Sequence, residues 1–198
     1  WTKHGKPYFI AWTTTPWTLA SNVALCVGPK IDYVAIETYN LYDGEPMTLV
    51  MAESRISAYL NPEQEVKEGE LGAFDKENKV CPWRIVDRIK GADLEGLHYK
   101  QLMPWVKPCE KIGDFSAKFV NDYAEKHADK VFTSEDGRDK FVEMDSEAFR
   151  VILGDYVTTE DGTGIVHIAP TFGADDAKVA LDANIPALYL INKKGETR

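Results

Sequence analysis

The sequence predicts a β-rich α+β domain: a β-barrel-like core of short strands with a few short helices at its periphery. Three observations predict it. Runs rich in aromatic and β-branched residues gather towards both ends of the chain. Turn signals such as Gly28-Pro29, Asp43-Gly44 and Asp161-Gly162 break those runs into short pieces. Helical periodicity is confined to brief stretches. Many strands with scattered short helices favour a barrel-like core over a doubly wound parallel sheet.

In chain order, residues 8–14 predict a strand beginning after Pro7. Residues 23–27 are a short apolar strand closed by Gly28-Pro29. Residues 32–38 alternate, with Tyr33, Ala35 and Glu37 on one face and Val34, Ile36 and Thr38 on the other. Asp43-Gly44 predicts a hairpin turn before a strand at 47–51. Residues 52–60 suit a short helix stopped by Asn61-Pro62. Residues 63–79 are polar and acidic, an exposed connection, and 80–89 return to strand character. Residues 91–112 lack a period and are expected as a long ordered loop. Phe115, Phe119, Val120, Tyr123 and Ala124 share one helical face, which predicts a helix over 115–128. The expectation is a single domain over 1–198, with 110–147 as a peripheral insertion. Residues 149–153 predict a strand, 156–159 and 164–169 a hairpin, 175–183 a helix, and 187–191 a final strand.

Composition excludes several classes. Hydrophobic residues are 44% of the 198 and charged residues 28%, as in a soluble globular domain. No run approaches the roughly 18 apolar residues of a membrane helix, so no membrane partner is expected. The chain starts Trp1-Thr2-Lys3 without a signal-peptide layout or an initiator Met, and is expected to be cut from a longer protein. Cys26, Cys81 and Cys109 are odd in number and far apart, so reduced thiols in a cytoplasmic protein are the simplest reading. With 23 basic and 32 acidic residues the net charge is −9. Such a chain can grip few phosphates of any nucleic acid it meets.

Two segments carry chemistry. The first runs Trp12-Thr13-Thr14-Thr15-Pro16-Trp17-Thr18-Leu19-Ala20-Ser21-Asn22. Its ordinary reading is a strand end, since Thr favours strands and Pro ends them. Its functional reading is a row of hydroxyls that donate and accept, able to hold a carbonyl, a ribose hydroxyl and a water. Pro16 forces Thr15 to be extended. The second segment runs from Gly162 to Asp176. His167 interrupts an apolar strand there, and its ordinary reading is a core histidine bonded to a carbonyl. Asp175 and Asp176 open a helix, where capping and dipole matching are common. A metal site from His167 and the two adjacent carboxylates is a poor ligand set.

Together, and in this order, the two segments resemble the editing (connective-peptide) domain inserted into class I aminoacyl-tRNA synthetases for branched aliphatic amino acids. Pro16-Trp17-Thr18-Leu19 with Asn22 looks like the isoleucine enzyme; valine and leucine relatives follow Thr-Thr with Arg-Pro. Ala20 stands where the family usually has Pro, and Thr171-Phe172-Gly173 where many bacterial members have Gly-His-Gly. The resemblance implies the fold of that editing domain and the hydrolysis of valyl-tRNA(Ile). It implies Asp176 as anchor for the substrate's ammonium, His167 bordering the side-chain pocket, and Thr13, Thr14 and Thr15 on the terminal adenosine and ester. Asn22 would hold the local backbone or ribose, and Trp17 wall the pocket or stack on adenine. Ala169, Phe172 and Asp175 complete the expected contacts. No covalent nucleophile, metal or cofactor is expected, ATP being used only by the synthetic domain. The implied partners are the aminoacylated 3′ end of tRNA(Ile) and the rest of the synthetase, with this chain monomeric and cytoplasmic. His167 as general base stays open. So do three other functions: a non-catalytic module binding the tRNA acceptor end, the editing domain of a valyl- or leucyl-tRNA synthetase, and an unrelated esterase, the last disfavoured by the lack of G-x-S-x-G.

Overall fold

A computed structural model describes residues 1, 3 and 5–190. The chain divides into two compact units. The first comprises Trp1–Thr13, Cys26–Glu95 and Leu153–Val166; the second comprises Thr14–Leu25, Gly96–Ile152 and the described residues from His167 onward.

The first unit is built on a four-stranded sheet. Numbered in chain order, its strands are β1 (Lys6–Phe9), β3 (Asp32–Tyr39), β4 (Pro46–Ala52) and β5 (Arg84–Lys90), arranged β1-β4-β3-β5. The predicted hairpin joins β3 to β4 antiparallel, with Gly44 at φ +74° in its turn. Positive φ is what Asp-Gly supplies at such a turn. Strand β1 lies parallel to β4. Val34, Ile36, Met51, Trp83 and Ile56, the last from the one-turn helix α1 (Ile56–Tyr59), form the core on this sheet. Burying each such side chain stabilises by about 1.5–3 kcal/mol. Tyr33 on the opposite face is also fully buried. Its hydroxyl accepts from the Gly28 amide at 3.0 Å and donates to the Gly164 carbonyl. Burial pushes this phenol up to about 12.

The second unit holds an antiparallel sheet, β6 (Cys109–Ile112), β8 (Lys140–Glu143) and β7 (Val131–Thr133), in the order β6-β8-β7. Helix α2 (Lys118–Lys126) packs Val120, Tyr123 and Ala124 against Val142 and Met144. Helix α3 (Ala174–Asp182) lies near the end of the described chain. A third sheet, β10-β2-β9, is formed by β2 (Ala24–Val27), β9 (Arg150–Leu153) and β10 (Ile165–Ile168), and the division between units falls within each of these strands.

The molecule is therefore β-rich with a few short helices, as expected; its strands form three sheets and no closed barrel among the described residues. Several elements differ from expectation. Strand β1 stops at Phe9, not at 14. The Ile10 amide still reaches Val50 O at 3.0 Å, but the next amide on that edge, Ala52 N, is taken by Thr163 O at 2.9 Å. The 156–159 and 164–169 hairpin does not form. Gly162 and Gly164 sit at φ +63° and +75°, which no regular strand arm adopts, and β10 pairs with β2 instead. The helix expected from 115 begins at Lys118, because Ser116 closes a turn by donating its amide to Gly113 O. Phe115 is left fully exposed. The loop at 91–112 ends in strand β6 and starts with a 3-10 turn, Gly91–Leu94. Residues 187–190 make no strand. Ala187 N donates to the Glu110 carboxylate at 2.8 Å, and Leu188 O accepts from the Ser21 and Thr171 hydroxyls at 3.3 and 3.4 Å. The Ala187 carbonyl also accepts from the Cys109 amide at 3.2 Å, one backbone bond beside these side-chain partners and too little for a ladder. Ile191, the last residue of that expected strand, lies outside the described residues.

Candidate functional site

The threonine-rich segment is not a strand end. Pro16 opens a 3-10 helix, Pro16–Ser21, at the first helical position, where its missing amide costs nothing. Thr15 is the preceding residue, at φ −125° and ψ 67°. Its carbonyl accepts twice from Thr18, from the amide at 3.0 Å and from the hydroxyl at 2.8 Å. This local side-chain-to-backbone bond winds the short helix tightly. It also directs Thr18 Oγ1 to His167 Nε2, 3.2 Å away across 149 positions of sequence. Thr15 Oγ1 lies 3.4 Å from the same hydroxyl. The two chemistry-bearing segments thus meet at Thr18 and His167.

His167 sits on β10 with 9% of its surface exposed. Its Nδ1 is buried and has no hydrogen-bond partner among the described residues. Burial pushes its pKa below the usual 6.5, and the negative charge of Asp176 offsets part of that push. A buried polar atom without a partner costs about 1–3 kcal/mol. The ordinary reading, a core histidine satisfied by a carbonyl, does not describe this ring.

Asp175 and Asp176 lie in the first turn of α3, where negative charge suits the helix dipole. Neither caps the helix; the cap is Gly173. Asp176 Oδ2 instead accepts from the Ala169 amide at 2.8 Å, tying the end of β10 to the start of α3. The Ala169 carbonyl accepts from Phe172 N at 3.0 Å, which closes the intervening turn. Ala169 is 1% exposed with both backbone groups bonded, so its place is in the scaffold of the turn. Asn22 is likewise internal. Its Nδ2 donates to Ala24 O at 2.9 Å and its Oδ1 accepts from the Tyr99 hydroxyl at 2.6 Å. It holds the local backbone, joining the 3-10 helix to β2. Burial raises the Tyr99 phenol far above its usual range.

Most of the remaining candidates face outward. Trp17 is 68% and Phe172 53% exposed, and Asp175 and Thr14 are exposed too. Thr13 is half-buried and belongs to the other unit. A groove of about 530 Å³ opens beside α2 and α3, lined by Phe119, Ala177, Leu181, Ile185 and Tyr189 among others. It borders the turn at Pro170 and Thr171 but is lined by none of the candidate residues. No group of three or more His, Cys, Asp or Glu side chains among the described residues is placed to hold a metal ion.

No family model matches the chain. Its similarity to individual proteins is extensive. It is 54% identical over 194 residues to the isoleucine–tRNA ligase of Bacteroides thetaiotaomicron, covering 98% of this chain and 14% of that protein. The chain belongs to the isoleucyl-tRNA synthetase family. The Porphyromonas gingivalis isoleucine–tRNA ligase is 44% identical over 98% of the chain, and the cytoplasmic enzyme of Arabidopsis thaliana 34% over 95%. This isoleucyl-tRNA synthetase segment spans about one-seventh of the length of those relatives, 13–14%. Among solved structures, GlLeuRS-CP1 is matched at a TM-score of 0.49 with 16% identity, over 90% of this chain and 45% of that one, a likeness too slight to carry weight.

Two residues of this synthetase segment were missed by sequence reasoning. Thr18 joins the two motifs, and its signal was present: a threonine three positions after Thr15, with Pro16 between them at a helix start. Tyr99, which holds Asn22, had no signal, because its loop shows no period and the contact spans 77 positions.

Proposed function

We propose that this chain is the hydrolytic editing module of an isoleucyl-tRNA synthetase, removing valine wrongly esterified to tRNA(Ile). The observation that carries the reading is the hydrogen bond between Thr18 and His167, which joins the two segments characteristic of such modules, in a chain of this family. The need for such a module is physical. One methylene is worth roughly 1–3 kcal/mol, so an isoleucine pocket rejects valine only about 150-fold, a figure that comes from this very enzyme family. A second site that hydrolyses what fits it corrects the remainder.

Each residue has a part in this reading. Asp176 commits one carboxylate oxygen to Ala169 and offers the other to the substrate's ammonium, a charge-assisted bond. His167 lines the side-chain pocket and helps set its size. The hydroxyls of Thr14 and Thr15, just before the 3-10 helix, hold the ester and the terminal adenosine. Trp17 and Phe172, exposed and aromatic, offer faces on which the terminal adenine stacks. Aminoacyl esters are already activated, so a positioned water and donors to the oxyanion suffice without a covalent nucleophile. The partners in this reading are the aminoacylated tRNA end and the remainder of the synthetase, in the cytoplasm, with no cofactor at this site.

The test is deacylation of valyl-tRNA(Ile) by the 198-residue chain, with isoleucyl-tRNA(Ile) as the spared control. Asp176→Asn keeps an oxygen for the Ala169 amide and removes the charge. It is expected to fold normally and to lose about 10–100-fold in rate, the worth of a hydrogen bond to a charged group. Release of no valine by the wild-type chain would return it to a binding role. Full activity in Asp176→Asn would remove the anchor.

A further inference from the structure

We infer that Thr18 is a positioning residue that fixes the tautomer of His167, putting the ring proton on Nε2 and leaving Nδ1 bare, an acceptor for an O–H or N–H donor. The inference rests on the editing reading only for what that donor belongs to: a water or the aminoacyl substrate.

The argument is a count of protons. A hydroxyl has one hydrogen to give. Thr18 Oγ1 lies 2.8 Å from Thr15 O, and a carbonyl can only accept, so the Thr18 proton is spent there. Every other neighbour of that oxygen must then donate to it. His167 Nε2, at 3.2 Å, therefore carries hydrogen. In a neutral imidazole the second nitrogen is then bare. That nitrogen, Nδ1, is the one buried without a partner among the described residues. Burial opposes the doubly protonated ring, and Asp176, the charged group that faces it, offsets this only in part. Tautomers are assigned from networks of this kind, and here the shorter contact, to Thr15 O, decides where the hydroxyl proton lies.

The arrangement decides what the site can do. A ring held as the Nδ1–H tautomer would donate to a substrate carbonyl. A ring held as Nε2–H takes a proton instead, from a water or an amine. Thr18 selects the second, without itself touching the reacting atoms.

The experiment is nitrogen-15 and carbon-13 NMR of the four histidine rings in the full 198-residue chain, with His167 assigned by the signal lost in His167→Gln. The expected pattern at neutral pH is one protonated nitrogen, Nε2, with Nδ1 at the position of a bare imidazole nitrogen. Thr18→Val, which removes the hydroxyl at nearly constant volume, is expected to lose that preference and give a mixed or reversed pattern. Thr18→Ser is expected to restore it. Nδ1–H in the wild type overturns the proposal, as does an Nε2–H pattern that persists in Thr18→Val. If Thr18→Val does not fold, the wild-type spectrum and Thr18→Ser still decide the matter. None of these readings uses deacylation. A failed tautomer assignment and a failed editing function are therefore separate results. Adding a non-hydrolysable valyl-adenosine analogue then shifts the Nδ1 resonance if the donor belongs to the substrate, and an unshifted Nδ1 assigns the donor to water.

Discussion

An imidazole at 9% exposure is kept neutral by its surroundings, and that ties its protonation to the stability of the fold. His167 has a folded-state pKa below the 6.5 of an exposed ring, with burial as the larger cause. The unfolded chain therefore binds the proton first as pH falls. The contribution of the neutral ring is fully present above about 6.5 and is lost as pH falls towards and through the folded value. The expected outcome is a urea midpoint that drops between about pH 7.5 and about pH 5, with a smaller drop in His167→Gln. Parallel pH profiles for the two proteins would show that the ring charges without cost, and its burial would then be energetically silent.

At the scale of elements, what positions the site is a set of turns more than the strands themselves. Gly164 precedes β10 at φ +75°, and a Cβ there would lie 2.5 Å from the Ala52 side chain. Its carbonyl also receives the Tyr33 hydroxyl. Gly164→Ala is expected to destabilise by about 2–4 kcal/mol, adding left-handed strain to overpacking against a methyl that has no rotamer to move into. Chemical unfolding measures it; a loss under about 1 kcal/mol would mean that the turn shifts freely. The same elements explain what was legible in the sequence. Strands β2, β3 and β4, helix α3 and the Asp-Gly hairpin were legible because their signals are local: apolar runs, a turn dipeptide, a short amphipathic period. The early end of β1 was not, since it depends on Thr163 taking an edge amide more than a hundred positions away in sequence. The false hairpin at 156–169 followed from reading Gly162 as a turn signal, when both glycines are needed at positive φ to bring the chain to β10. His167 and Asp176 stood out in the sequence as candidates, by an apolar strand interrupted and a helix start. That Asp176 would spend one oxygen on Ala169, and Asn22 its whole amide on Ala24 and Tyr99, depends on tertiary placement that no spacing encodes.

At the scale of the whole molecule, charge constrains how a nucleic acid can be held. The chain carries 32 acidic against 23 basic residues, net −9. Several of its cations are already engaged: Arg84 with Glu37, Arg88 with Glu53, Lys107 with Glu143, Lys111 with Asp139 and Lys130 with Asp145. Most of these pairs are partly exposed and contribute little to stability, at about 0–1 kcal/mol each. They do, however, remove positive charge from any phosphate that approaches. In the proposed editing reading, recognition falls to the aminoacyl group and stacked bases, and few phosphates are gripped by this chain. Each phosphate neutralised steepens the fall of log K with log salt by roughly 0.7–0.9. For valyl-tRNA(Ile) on the 198-residue chain, a slope shallower than about −3 is therefore expected between roughly 50 and 200 mM salt. Filter binding or the salt dependence of kcat/KM reads it directly. A slope of about −6 or steeper would mean a phosphate-gripping surface that the charge distribution does not supply, and recognition would then have to be relocated away from the aminoacyl end.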